Sequence, residues 1–132
     1  MIQLTIFVVP RYHTEVAYDP STEEQFTLAI QNNRDHFKGE ARKAYGKASN
    51  YAVEHFPAAS ALRLGVELNY AVFFVSVLDD VEHGIRMAQR AYDAGLESLA
   101  DPNYEPDDFD AETGADVMNA LKSNILNWFD TI

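Results

Sequence analysis

Two groups of residues in this 132-residue sequence have the types and spacing to bind something. The first is cationic. Arg34, Lys38, Arg42, Lys43 and Lys47 make up five of the ten Lys and Arg, within fourteen residues. Arg34, Lys38 and Arg42 recur at i, i+4, i+8 and so share one helix face. On an acidic chain such a stripe could receive a phosphate. It could also pair with Asp101–Asp116, where seven residues are acidic and none is Lys or Arg, and this pairing is the favoured expectation. The second group is polar and uncharged. In Ser60–Asp80, SALRLGVELNYAVFFVSVLDD, the residues Gly65, Leu68, Asn69, Val72 and Ser76 share one stripe of a helix that is apolar almost all round. Asn in a helix interior needs hydrogen-bond partners. The stripe is either the wall of a binding groove or part of a buried helix with one satisfied asparagine.

Catalytic chemistry finds no such grouping. His13, His36, His55 and His83 are scattered without metal-ligand spacing. Glu54-His55 and Glu82-His83 are sequence neighbours, so their side chains leave a helix on different faces and do not form acid–base pairs. The adjacent carboxylates Asp79-Asp80 read as a helix cap. There is no Gly-rich phosphate loop followed by lysine, and the acidic stretch lacks the EF-hand spacing of a calcium loop. With no cysteine there is no thiolate nucleophile, disulfide framework or Cys-based zinc site. The expectation is a protein that is not an enzyme, with no metal and no cofactor.

The elements that would position these residues are helices. A helical pattern runs from about Thr22 to Phe56, in one piece or two, weakened by Gly39 and Gly46 and closed by Pro57. Ser60–Leu78 follows. Asp79 or Asp80 caps a third helix, which runs through Ile85, Ala88, Tyr92 and Leu96 and fades by Leu99. Asp101–Gly114, with two prolines, a glycine and many acids, reads as a loop, and a last helix spans about Ala115–Phe129. Met1–Pro10 alternates like a short strand ended by proline, and the residues leave its state open. The predicted fold class is all-α: an antiparallel bundle of about four to five helices in a single domain over residues 1–132. Tyr70, Leu78, Asp80, Gly84, Ile85, Ala88, Ala91 and Tyr92 have the cadence of a tetratricopeptide unit, but only one such unit is visible.

Composition narrows the partners. Net charge is −11, so nucleic acid and anionic membrane are not expected, because phosphate binding needs surplus Lys and Arg. No apolar run approaches the roughly 20 residues of a membrane span. Met1–Val9 lacks the basic start and cleavage site of a secretory signal. The absence of cysteine fits a reducing compartment, and a cytoplasmic protein is expected.

Specific words go further. Arg63–Phe74, RLGVELNYAVFF, resembles the RLGLALNFSVFYY-type helix of the 14-3-3 family. Met87–Ala94, MAQRAYDA, resembles the family's next helix, and Val117–Trp128, VMNALKSNILNW, its last, IMQLLRDNLTLW. Lys43–Ala48, KAYGKA, stands where the family has an AY-containing helix. Together these cover most of Arg42–Thr131 in the family's order and spacing.

The resemblance implies an all-helical adaptor that binds phosphoserine or phosphothreonine segments in an amphipathic groove. Arg11-Tyr12, in RYHTEVA, resembles the family's phosphate-holding Arg-Tyr pair, at the cost of an insertion around Tyr18–Asn33. The resemblance makes Asn69 and Asn124 the clamps on the peptide backbone. Gly65, Leu68, Val72, Val117, Ala120 and Trp128 would then line the apolar side, with a core anchor as the alternative for Trp128. The departures are Ser76 for the family's groove glutamate, Ala120 for a leucine, Asn127 for an apolar residue and Pro10 before Arg11. The match begins with the family's second half. The early helices, which supply the family's dimer interface and two basic pocket residues, have no counterpart, so exposed faces could drive self-association. The expected function is therefore a non-enzymatic module for phosphorylated protein segments. The alternative is a degenerate helical scaffold that associates through helix faces without phosphate recognition.

Overall fold

A computed structural model describes residues 23–132 and shows four helices there: α1 (Glu23–His55), α2 (Ala61–Ser76), α3 (Val81–Ala100) and α4 (Asp108–Phe129). The first helix is continuous across Gly39 and Gly46, which settles its single-piece form. Met1–Pro10 and Arg11-Tyr12 lie outside the described residues.

Each helix start has a local cause. Ser60 caps α2, its hydroxyl accepting from the Arg63 amide at 3.2 Å. The Ala61 amide in the same first turn donates to Asp110 Oδ1 on α4 at 3.0 Å, tying the two helix starts together. Asp80 caps α3 by accepting from the His83 amide, with Glu82 in the first turn, where negative charge complements the helix dipole. Between α2 and α3, Asp79 takes a left-handed conformation (φ 55°), which brings the chain back within four residues.

The expected loop Asp101–Gly114 is corrected at its second half, because α4 begins at Asp108 rather than Ala115. Asp107 accepts from the Asp110 amide at 2.7 Å, and Asp108 and Asp110 occupy the first turn. The acids that read as solvated loop are a cap and a dipole-complementing turn. Gly114 is not a turn glycine. A Cβ there would meet the Ala59 carbonyl oxygen at 2.9 Å, so it permits close packing.

Three helices, α2, α3 and α4, each pack on the other two. Their shared core joins Leu64, Leu68, Ala71 and Val72 from α2 to Ala88 and Ala91 from α3 and to Val117, Met118, Leu121 and Ile125 from α4. Two glycines on α3 set the spacing. A Cβ on Gly84 would clash with Val75 and lie 2.9 Å from the Ala71 carbonyl, and one on Gly95 would lie 2.6 Å from Met118 Sδ. Among the described helices, α1 packs on α2 alone, through Tyr45 against Tyr70 and Phe73. With α1 and α3 both resting on α2 but not on each other, a cleft opens between them.

Candidate functional site

The polar stripe of α2 lies as its spacing predicts, but its residues differ in what they offer. Gly65, Leu68 and Val72 are buried, and Ser76 at the end is exposed. Leu68 and Val117 are 3% and 1% exposed, so they belong to the core rather than to a surface a ligand could touch. Ala120 and Trp128 are half-buried and pack against the same core cluster. Trp128 thus has the core contacts of an anchor and still shows part of its ring. Of the predicted lining, Leu68, Val72, Val117, Ala120 and Trp128 come together in one cluster.

Asn124 is half-buried on α4, on the helix that packs against α2. Asn69 is half-buried as well, yet its Oδ1 is shut off from solvent and accepts no hydrogen bond among the described residues. A buried carbonyl without a partner costs on the order of 1–3 kcal/mol. A satisfied core asparagine, the simpler alternative for this stripe, is not what the structure contains.

The basic stripe goes elsewhere. Among the described residues, none of Arg34, Lys38 and Arg42 pairs with an acid of Asp101–Asp116, which corrects the favoured expectation. The Arg42 guanidinium lies 5.3 Å from the centre of the Phe74 ring, a cation–π contact. His83 stacks on Phe74 as well, at 4.0 Å. Burial against Tyr70 and Phe73 raises the Tyr45 phenol above its ordinary pKa. The residues that could have taken the acids are thus spent on aromatic faces or left in solvent.

Sequence comparison is decisive for what family this arrangement belongs to. The profile of the 14-3-3 protein family matches residues 10–129. The chain belongs to the 14-3-3 family. A 14-3-3 protein homolog of Candida albicans is 30% identical over 106 residues, covering 78% of this chain and 38% of that protein. One of Neospora caninum is 34% identical over 89 residues, covering 67% and 32%. A 14-3-3 protein homolog 1 of Schistosoma mansoni is 31% identical over 121 residues, covering 89% and 40%. The chain therefore spans about a third to two-fifths of the length of these relatives. The four-helix, all-α architecture agrees with the 14-3-3 resemblance read in the sequence. No helix among the described residues is long and apolar enough to cross a membrane.

One set of residues escaped sequence reasoning. Ser49 on α1 donates to Glu67 Oε1 on α2 at 2.5 Å, and Arg63 Nη1 donates to the carbonyls of Phe56 and Val53 at 3.0 and 3.5 Å. These lie on the α1-facing side of α2. Glu67 stands about 200° round the helix from Asn69. The available signal was Glu67 itself, a carboxylate in an otherwise apolar helix that needs a donor.

Proposed function

We propose that this 14-3-3 chain is a non-enzymatic adaptor module that binds a phosphoserine- or phosphothreonine-containing protein segment in the groove between α2 and α4. The observation that carries the reading is the family match over residues 10–129, with Leu68, Val72, Val117, Ala120 and Trp128 gathered in one cluster. An extended peptide offers backbone N–H and C=O groups at its own regular spacing, and the half-buried side-chain amide of Asn69 carries both a donor and an acceptor that a side-chain rotation can present to them. Asn124 supplies the second amide from the facing helix. Ala120 and Trp128 offer apolar surface, with Gly65, Leu68, Val72 and Val117 beneath or beside it. In this reading Arg11 and Tyr12 hold the phosphate, through the planar fork of the guanidinium and a phenol donor. The compartment that goes with such a role is the cytoplasm, and the partner is a phosphorylated protein.

The test is a fluorescence-polarisation titration of a degenerate phosphoserine peptide library against its unphosphorylated twin. It is repeated with Asn69→Ala and Arg11→Glu. The expected outcome is phosphate-dependent binding, lost with Arg11→Glu and weakened about tenfold with Asn69→Ala, the scale of one hydrogen bond in a desolvated groove. Equal binding to both libraries would replace this reading with that of a helical scaffold. Undiminished binding by Asn69→Ala would remove the groove assignment.

A further inference from the structure

We propose that the cleft between α1 and α3 is a second binding site, separate from the α2–α4 groove, for a small organic anion: a carboxylate or phosphate ester carrying an apolar body. The cleft encloses about 480 Å³, within the size range of small-molecule sites. It exists because α1 and α3 both lean on α2 without touching one another. Its apolar surface comes from Leu64 of α2 and from Met87, Ala91 and Ala94 of α3.

The charges of the cleft decide the class of ligand. Arg63 is half-buried, and its Nη1 is fixed by the carbonyls of Val53 in the last turn of α1 and of Phe56 just after it, so the guanidinium is a positioned group rather than a waving one. Its remaining N–H groups make no hydrogen bond among the described residues. Arg90 enters from α3 and has no ion pair among the described residues, on a chain whose net charge of −11 supplies acids in excess. Glu67, the one carboxylate among the described residues that line the cleft, accepts from the Ser49 hydroxyl, which fixes its carboxylate toward α1 but leaves its charge. The cleft therefore carries two guanidinium groups against one carboxylate above an apolar floor, an excess of positive charge. A planar oxyanion matches the guanidinium fork, and a hydrocarbon or ring body matches Leu64 and Met87. A neutral ligand of the same shape would leave the guanidinium groups unanswered.

The probes are phenyl phosphate and phenylacetate, with phenol as the neutral control, titrated into the ¹⁵N-labelled chain and followed by amide chemical shifts. The expected result is saturating shifts at Leu64, Ala91 and Ala94 for either anion, with a dissociation constant of about 1 mM or tighter, and none for phenol. Arg90→Gln, a change at an exposed residue, should weaken binding about tenfold. Met87→Trp, which fills the cleft, should abolish it. Asn69→Ala should leave it unchanged, which separates this site from the peptide groove. Shifts centred on Asn69 and Asn124, equal shifts with phenol, indifference to Arg90→Gln, or no shift at all would each overturn the proposal.

Discussion

At the scale of single residues, the structure singles out atoms whose cost to the fold points to another use or to a correctable strain. Asn69 is the first. Because its Oδ1 makes no hydrogen bond among the described residues, Asn69→Ala removes a desolvated carbonyl at the cost of only a few packing contacts. The melting temperature should stay the same or rise by a degree or two while peptide affinity falls, and a melt beside the titration checks both. A residue kept for packing would show the opposite pattern. Asp79 is the second. Its φ of 55° lies in the left-handed region, where an L side chain crowds the following carbonyl. Asp79→Gly should stabilise the protein by about 0.5–1 kcal/mol, read from urea unfolding, since glycine adopts that conformation without the clash. Tyr104 is the third. Its hydroxyl is buried without a partner, and its phenol pKa is raised first by burial and then by the carboxylates of Asp110 and Asp107. A raised phenol pKa favours the neutral form in the folded state. Its contribution is whole below about pH 10, the unfolded value, and is lost as pH rises through the higher folded one. Tyr104→Phe should therefore cost nothing at pH 7 and move the onset of alkaline unfolding upward, followed by far-ultraviolet circular dichroism between pH 8 and 12.

Helix contacts explain what was and was not legible in the sequence. The α2–α3 crossing is set by Gly84, where a Cβ would sit 2.9 Å from the Ala71 carbonyl, a backbone atom that cannot swing aside. Gly84→Ala should cost about 2 kcal/mol or more, because the two helices must part and the core beneath them opens. Gly39, on an exposed stretch of α1, has nothing within 4 Å of the place a methyl group would occupy, and Gly39→Ala should gain about 1 kcal/mol from helix propensity alone. Paired urea denaturation curves test both. The two glycines look alike in sequence, since a glycine inside a helical pattern carries the same letter whether it admits a neighbour or merely weakens the helix. The same ambiguity misplaced the start of α4. An acid run followed by glycine is what a loop looks like, and also what a capped helix start looks like when Gly114 packs against Ala59. Periodicity made α2, α3 and the end of α4 readable, because each buries an apolar stripe along most of its length. The cleft beside α1 was invisible for a complementary reason. It arises from a contact that two helices fail to make, and no local pattern encodes a missing contact.

For the molecule as a whole, the controlling quantity is charge. Ten Lys and Arg against twenty-one Asp and Glu leave −11 on 132 residues. Among the described residues the cations do little to offset this locally. The ion pairs there are Lys43 with Glu40 at 3.5 Å, both exposed, and His55 with Glu54 at 4.0 Å, which counts only when the histidine is protonated. Exposed pairs of this kind contribute about 0–1 kcal/mol. The electrostatic balance of the folded state is therefore net repulsion among acids, spread over distances comparable to the Debye length of about 10 Å at 0.1 M salt. Screening should relieve that repulsion more than it weakens the few attractive pairs. The melting temperature should rise by several degrees between about 0.02 and 0.3 M sodium chloride, followed by calorimetry at constant pH. A fall over that range would mean that attractive pairs dominate the balance. Binding of an anion at either site should move the other way, weakening as salt rises, since there the attraction itself is screened. Opposite salt slopes for folding and for binding are what a strongly acidic chain with the two proposed anion sites should show.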